Sequence, residues 1–264
     1  KSNIPIDVII SPEREVAQSL YRKLEAPGAL DNVPFVKDKV KLLEILVEKK
    51  CPIANIPLKD LTKKFPEFKA YIFGAERKES FVFFKKNDQM KVGDKVYVVV
   101  STDQINKLLS AFGHDEKISK KILIIGGGNI GLHLAKLLET TEGLRTKIIE
   151  KSKIRAEQIA GELSSSIVIC GDPLDEKILK EANIEEAETV FALTDDDEDN
   201  IMACVLAEKN TPSKRTIAII NKHNYNILQD SLKIDDLVDP RMTTVSTIMK
   251  HVHMGTIDTV YSLL

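Results

Sequence analysis

The sequence is poor in the features that mark several classes of protein. Of its 264 residues only three are cysteines, Cys51, Cys170 and Cys204, and no two of them have the CxxC spacing of metal or redox sites. Their isolation favours buried, reduced thiols over a disulfide framework. No apolar run approaches the roughly 20 residues of a membrane-spanning helix, and no secretory signal is visible, so we expect a soluble chain.

The charged residues give no sign of a nucleic-acid partner. The chain has 38 Lys and Arg against 40 Asp and Glu, a formal net charge of −2, and its basic residues are dispersed. We therefore predict neither a nucleic-acid interface nor an electrostatic membrane anchor. The length suits roughly two domains. Because the sequence opens with Lys1 instead of methionine, we expect a fragment of a longer chain.

The most informative stretch runs from Lys121 to Glu150, where an apolar run, a glycine turn, a helical pattern and a second apolar run predict a βαβ unit. Its turn reads GGGNIG, from Gly126 to Gly131. In this motif one glycine makes the sharp turn, a second lets the backbone approach a pyrophosphate, and a third lets the helix pack on the strand. The helix from Asn129 would add an anion site at its N-terminus.

Glu150 makes the glycine motif a more specific sign of a nucleotide site and indicates which nucleotide it binds. It ends the second strand of the unit, near the expected spacing of about 20 residues from the glycines. A carboxylate at this position accepts hydrogen bonds from a ribose diol and repels a 2′-phosphate. The pattern therefore predicts NAD or another adenosine nucleotide as the ligand, in preference to NADP. An empty crevice behind a tight glycine turn is the alternative.

Strand and helix patterns alternate to the end of the chain and predict an α/β fold, a Rossmann-type doubly wound parallel sheet of six strands. Ligands of such sheets bind at the carboxyl ends of the strands. The candidate ligand-binding residues are therefore Gly126, Gly127, Gly128, Asn129, Ile130, Gly131, Glu150, Asp172, Thr194, Asp195 and Ile220. Asp172 would contact adenine or ribose, and Thr194 and Asp195 the pyrophosphate or second ribose. A purely structural role as turn and cap residues stays open for each.

Residues 31–113 predict a smaller α+β module with no cluster of chemically active side chains. Its apolar run at 40–47 does not decide between strand and helix, and Gly74 is predicted to be a turn between two strands. Residues 1–30 resemble the segment that begins at Ile234: Ile6-Asp7 and Pro12 match Ile234-Asp235 and Pro240 at one offset. We interpret the match as an internal repeat of a strand followed by a helix.

Six motifs together resemble the family of Trk-type potassium uptake regulatory subunits (TrkA-like), which are built from RCK/KTN modules. The motifs are GGGNIG, KIIE ending at Glu150, Gly171-Asp172, ALTDDDEDN at 192–200, DPRMTTVSTIMKHV at 239–252, and KVGDKVYVVV at 91–100. The resemblance implies the end of a first KTN domain at 1–30, an RCK C-terminal module at 31–113, a second KTN domain at 120–254 and the start of a second C-terminal module at 255–264. One departure is Pro173-Leu174, where the family has small residues and threonine.

The resemblance also implies a function. Members of the family bind NAD or NADH, sometimes ATP or ADP, and assemble on the cytoplasmic face of a membrane potassium channel or transporter. We therefore expect a regulatory subunit, peripheral on the inner face of the cell membrane, that forms a homo-oligomer (dimer or tetramer) and works by ligand-dependent conformational change.

The main alternative is an NAD-dependent oxidoreductase, which needs an acid or base near the nicotinamide and a substrate domain. The sequence supplies only His133, on the first helix, and His223, after the fifth strand. We therefore predict no catalytic residue and no enzyme. The acids at 195–199 suit a helix start better than a metal site, and His251 and His253 face different directions on a helix.

Overall fold

The computed structural model describes residues 9–36, 38–65, 69–78, 80–115, 119–210 and 215–252. The chain divides into two compact units, one formed by residues 22–118 and the other by residues 1–21 together with 119–264. The boundary at Tyr21 falls within helix α1 (Pro12–Glu25). Val16, Leu20 and Leu24 form the buried face of this helix, as their spacing of four predicts. Proline suits the first turn, because its nitrogen has no hydrogen bond to donate.

The smaller unit contains an antiparallel five-stranded sheet in the order β1-β2-β5-β3-β4. Two helices pack against one face of this sheet, over a core that includes Leu43, Ile45, Val98 and Phe112. The elements are β1 (Asp31–Phe35), β2 (Val40–Leu46), α2 (Leu58–Lys64), β3 (Ala70–Arg77), β4 (Ser80–Phe83), β5 (Lys95–Ser101) and α3 (Ile105–Phe112), with a 3-10 turn at Thr102–Gln104.

Two features of this unit differ from the sequence-based prediction. The predicted turn at Gly74 is wrong, because β3 continues through Gly74 with a bulge between Ile72 and Gly74. A Cβ at Gly74 would lie 2.7 Å from the ring of Phe81, so the glycine makes room for an aromatic side chain of the neighbouring strand. Strand β1 was not predicted; it is an edge strand that contains Pro34, which an edge position tolerates.

The larger unit contains a parallel six-stranded sheet in the order β11-β10-β9-β6-β7-β8. This confirms the predicted Rossmann-type sheet. The elements are β6 (Lys121–Ile125), α4 (Asn129–Glu139), β7 (Arg145–Glu150), α5 (Lys153–Glu162), β8 (Ile167–Cys170), α6 (Glu176–Glu181), β9 (Thr189–Ala192), α7 (Asp197–Asn210), β10 (Arg215–Ile219), α8 (Gln229–Leu232), β11 (Asp236–Val238) and α9 (Pro240–Val252), with 3-10 turns at Ile184–Glu186 and His223–Leu228.

The central strand of this sheet is β6, which pairs with β7 on one side and β9 on the other. The direction in which successive strands are added reverses at β6, so a crevice forms at the carboxyl ends of β6 and β9. One sheet face is buried against helices α6 and α7, in a core that includes Leu123, Ile149, Val190 and Cys204. The strands therefore present their carboxyl-end loops along one edge.

Some expectations are corrected or fall outside the described residues. Residues 9–10 are not in a strand, whereas the apolar run at 8–10 was expected to form one. Cys51 and Cys204 are buried free thiols, but Cys170 is exposed because it ends β8, the edge strand of the larger sheet. The repeat residues Ile6 and Asp7, His253 and the segment 255–264 lie outside the described part. Within that part, no helix is both long and apolar enough to cross a bilayer.

Candidate functional site

The glycine loop joins β6 to α4 at the carboxyl edge of the sheet. Gly126 has φ +103°, in the left-handed region, and a Cβ there would lie 2.8 Å from the carbonyl oxygen of Leu193. A Cβ at Gly131 would lie 2.1 Å from the carbonyl oxygen of Gly126, where the helix crosses the end of the strand. A Cβ at Gly128 would meet nothing within 4 Å. Two of the three motif glycines are therefore required by packing, and the third leaves open space.

Helix α4 begins directly at this open space. Its N-cap is Gly128, which has no side chain to cap the helix, and the first intrahelical hydrogen bond runs from Leu132 N to Gly128 O at 3.0 Å. The N–H groups of Asn129, Ile130 and Gly131 precede that bond and belong to the end of the helix that carries the positive pole of its dipole. This arrangement suits a phosphate.

Glu150 holds the loop from the end of β7. Its Oε2 accepts a hydrogen bond from Gly127 N at 2.8 Å, and its Oε1 accepts one from Ser152 N at 2.7 Å. Both carboxylate oxygens are thus fixed beside the glycine turn, at the position where the sequence predicts ribose recognition. Because each oxygen has a second lone pair, both can still accept a hydrogen bond from a ligand hydroxyl.

Arg155, on the first turns of α5, also fixes the loop, and it was missed by sequence reasoning. Its Nε donates to Gly127 O at 2.8 Å, its Nη2 to Asn129 Oδ1 at 3.3 Å, and its Nη1 to Gln158 Oε1 at 3.0 Å. The guanidinium therefore joins two loop residues and adds a positive charge beside the helix N-terminus. A half-buried arginine on a helix has no sequence signal that would identify this contact.

Asp172 lies farther along the same edge, after β8. Its Oδ1 accepts a hydrogen bond from Leu174 N at 3.0 Å, and its Oδ2 pairs with Lys151 Nζ at 2.9 Å. The Leu174 hydrogen bond, followed by the Lys151 ammonium, holds the pKa of the Asp172 carboxyl below its usual value. The unusual Pro173-Leu174 sequence thus forms an Asx-type turn that uses one oxygen of the predicted adenine-side residue.

Thr194 lies on the other side of the glycine loop, after β9, and is fixed by a buried asparagine. Asn200 Oδ1 accepts hydrogen bonds from Thr194 N and Thr194 Oγ1, each at 2.8 Å. Asn200 Nδ2 donates to Thr194 O and Ile219 O, each at 3.0 Å. Since Asn200 is fully buried, it ties the ends of β9 and β10 together. Asn200 was missed as a positioning residue, and Asp195 beside Thr194 is exposed.

The remaining predicted residue, Ile220, follows β10. Its side chain is buried in the core and its N–H donates to Val238 O at 2.9 Å, so only its carbonyl faces a possible ligand. Beyond it, the Asp197 carboxylate accepts hydrogen bonds from Asn221 N at 2.9 Å and Lys222 N at 2.9 Å. The acidic run therefore serves to fix the loop after β10, and among the described residues no group of acids, histidines and cysteines could hold a metal ion.

The structure places the predicted residues along one edge, in the order Ile220, Thr194, the glycine loop, Glu150 and Asp172. Glu150 is in direct contact with the loop, and the main chain of Thr194 abuts Gly126. Ile220 is two strands from the loop on one side, and Asp172 is two strands away on the other. The central three lie together, and the outer residues lie at the flanks of this candidate site.

His133 lies on α4, four residues after Asn129. Burial first, and then the nearby charges of Arg14 and Lys136, lower the pKa of its imidazole. His223, the other candidate base, begins the 3-10 turn that follows β10.

The fold defines a Rossmann-type domain with a glycine loop at the carboxyl edge of its sheet, joined to a small antiparallel module. Residues 122–240 match the TrkA-N domain family and residues 42–113 match the TrkA-C domain family. The chain therefore belongs to the family of proteins that carry TrkA-N and TrkA-C domains. This confirms the resemblance noted in the sequence.

Proteins named Trk system potassium uptake protein TrkA are similar over nearly the whole chain. The one from Azorhizobium caulinodans is 42% identical over 265 residues, and the match covers 100% of this chain and 58% of the relative. The one from Vibrio alginolyticus is 33% identical, with 98% of this chain and 56% of the relative covered. The chain thus spans somewhat more than half of these relatives. They are named as uptake proteins and not as enzymes, which confirms the prediction on that point.

Solved structures share the fold. The GsuK RCK domain superposes with a TM-score of 0.61 at 18% identity, covering 92% of this chain and 51% of that chain. The GsuK channel bound to NAD superposes with a TM-score of 0.61 at 16% identity, covering 91% and 42%.

Proposed function

We propose that this chain is part of a regulatory subunit that binds NAD or NADH at the glycine loop and thereby controls a membrane potassium channel or transporter. The observation that carries the proposal is the Glu150 carboxylate, which Gly127 N and Ser152 N hold beside the loop. In that position it can accept hydrogen bonds from a ribose diol, and its charge opposes the 2′-phosphate of NADP. The names of the TrkA relatives support the potassium uptake system as the partner.

The start of α4 and the Arg155 guanidinium would hold the pyrophosphate. Arg155 already donates to the carbonyl of Gly127 and to Asn129, so its charge is positioned before the ligand arrives. The open space at Gly128 is where a phosphate would approach the backbone. A nucleotide with at least two phosphates therefore fits this end of the sheet.

ADP and ATP are the alternative ligands, because they present the same ribose diol and phosphates. NAD differs from them in its second nucleoside, for which Thr194, Asp195 and Ile220 are the proposed contacts. Asp172 is the proposed contact on the adenine side. Comparing the four nucleotides therefore tests both the loop and its flanks.

Helix α1 is the element through which we propose that the ligand acts. Its Tyr21 hydroxyl and the Thr141 hydroxyl, just beyond the end of α4, are 2.7 Å apart, and Thr247 of α9 donates to Glu15 at 3.2 Å. A ligand can bias a conformational equilibrium only if its contacts differ between the two states. Because α4 carries the phosphate site at its start, a shift of α4 would be transmitted to α1. The assembly proposed is a homo-oligomer at the inner face of the membrane.

Calorimetry of the intact chain with NADH, NAD, ADP and ATP tests the proposal. We expect saturable binding of NADH or NAD, and at least a tenfold loss of affinity, about 1.4 kcal/mol, in E150A. E157A is the matched control, since Glu157 is exposed on the neighbouring helix α5, and it should bind as the parent chain does. Absence of binding for all four nucleotides would sink the proposal. The control of transport is tested by ion flux through the cognate membrane protein with and without NADH.

A further inference from the structure

A second cavity opens at the opposite end of the larger sheet from the glycine loop, where β6, β7 and β8 begin. Its volume is about 440 Å³, within the range of sites that hold small organic molecules. Ligand sites of parallel α/β sheets lie at the carboxyl ends of the strands, so a cavity at the amino ends is not accounted for by the nucleotide site.

The cavity exists because this face of the sheet is only partly covered. Helix α6 has six residues, and the chain then enters the 3-10 turn Ile184–Glu186 before β9. The amino ends of β6, β7 and β8 extend beyond that cover. Strand pairing places Lys121 beside Arg145, Leu123 beside Lys147, and Lys147 beside Ile167. By alternation these five side chains share one face and form the floor of the cavity.

The floor carries an excess of positive charge. Lys121, Arg145 and Lys147 line the cavity together with a single acid, Glu186. Lys121 Nζ pairs with Glu186 Oε2 at 2.9 Å. Neither of the other two side chains has a hydrogen bond or ion pair within the described ranges. The Lys121 hydrogen bond, followed by the charges of Lys121, Lys147 and Arg145, lowers the pKa of Glu186.

The floor also contains apolar side chains. Ile167 is 56% exposed and Leu123 lies beneath it, fully buried. The wall opposite consists of Ala182, Asn183 and Ala187. A ligand that fits must therefore offer negative charge to the two unpaired cations and an apolar surface to Ile167. Neither a bare inorganic ion nor an uncharged hydrophobic molecule uses both features.

We propose that this cavity binds a small organic anion, a molecule that carries a carboxylate or phosphate group on an apolar body. The anionic group pairs with Arg145 and Lys147, where an arginine fork can bind two oxygens at once. The apolar part lies on Ile167. The site is separate from the glycine loop, because the two lie at opposite ends of the same strands.

Calorimetric titration of the intact chain with phenyl phosphate and with benzoate tests the site. We expect saturable binding of at least one probe at one molecule per chain; which probe binds more tightly distinguishes phosphate from carboxylate ligands. The variant R145Q/K147Q should lose at least tenfold in affinity. K177Q/K209Q removes the same charge from two exposed positions outside the cavity and should bind like the parent chain.

Two further measurements make the test independent of the nucleotide site. The titration is repeated with saturating NADH, which should leave probe affinity unchanged. In I167D an acid replaces the exposed apolar side chain, so that probe binding should be abolished while the urea unfolding midpoint stays close to that of the parent. The proposal is overturned if neither probe binds saturably, if R145Q/K147Q keeps the parent affinity, or if NADH displaces the probe. Failure of NADH to bind would leave the probe result intact and would count only against the nucleotide proposal.

Discussion

Alanine substitution at two glycines of the same loop should separate folding from nucleotide binding. A Cβ at Gly131 would lie 2.1 Å from the carbonyl oxygen of Gly126, whereas a Cβ at Gly128 would meet nothing within 4 Å. Gly128 has φ −62° and ψ −168°, which any residue adopts. We therefore expect G131A to lose stability, and G128A to remain folded but to bind NADH weakly.

The expected losses of stability in G131A and G128A differ for a structural reason. In G131A the clash is with backbone, so α4 must move off the end of β6, and we expect a loss of about 3 kcal/mol or more in the free energy of unfolding. In G128A, alanine is a poorer N-cap by up to about 1 kcal/mol. Lower entropy of the unfolded chain offsets this by about 0.4–1 kcal/mol. The net change in stability should be small, while the added methyl group stands where a phosphate would approach.

Urea unfolding and calorimetry with NADH measure the two effects on the same samples. For G128A we expect an unchanged unfolding midpoint and at least a tenfold loss of NADH affinity, about 1.4 kcal/mol. The control is G161A, at a helical glycine of α5 that also has open space around its Cβ position; it should keep full affinity. The reasoning is refuted if G128A binds NADH like the parent chain, or if G131A unfolds at the parent's urea concentration.

Three other substitutions test hydrogen bonds of the larger unit, one at the amino end of β8 and two at the candidate site. The Glu139 carboxylate accepts hydrogen bonds from three successive backbone N–H groups and one hydroxyl at 164–166, which bring its pKa to about 2. The stabilisation of the fold by this carboxylate is therefore full above pH of about 4.5 and is lost as the pH falls toward 2. In urea unfolding, E139Q should lower the free energy of unfolding by about 1–2 kcal/mol at pH 7, a figure reduced for screening by solvent, and should change it little at pH 2. E150Q leaves one N–H of Gly127 or Ser152 facing an amide donor, so we expect a loss of about 1–2 kcal/mol in stability together with weaker NADH binding by calorimetry; unchanged stability would contradict the geometry. N200A removes the buried partner of Thr194 and should cost about 2–4 kcal/mol in urea unfolding, and a midpoint equal to the parent's would show that water replaces the amide.

The sheet of the larger unit was predictable because its signals are local and agree with one another. Each apolar run of four to six residues is followed by a helical pattern, and parallel strands need such crossovers. The glycine turn was predictable, and the structure gives its reason: a Cβ at Gly126 or Gly131 would strike backbone. Glu150 followed from its spacing, and the structure places it in contact with the loop.

The contacts made by Arg155 and Asn200 could not be predicted from the sequence. Both side chains act across the fold: Arg155 lies on α5 and contacts the loop that precedes α4, and Asn200 lies on α7 and joins the ends of two strands. A pattern of residue types along one helix carries no information about which loop packs against it. The smaller unit was harder for the same reason, since the space at Gly74 is limited by the backbone of Val82 and the ring of Phe81 in the next strand.

The contacts at the carboxyl edge hold the glycine loop in one conformation before a ligand binds. Glu150 and Arg155 fix Gly127 from its N–H and its carbonyl, and Asn200 fixes Thr194 through three hydrogen bonds and Ile219 through a fourth. A loop held in this way loses little conformational freedom when a ligand binds, so most of the interaction energy is retained as affinity. A second arrangement of the loop would require these hydrogen bonds to break. Under the proposed function, we therefore expect the response to the ligand to arise in the elements that move as bodies around the loop, and α1, whose Tyr21 hydroxyl lies 2.7 Å from the Thr141 hydroxyl just beyond the end of α4, is the candidate that we propose.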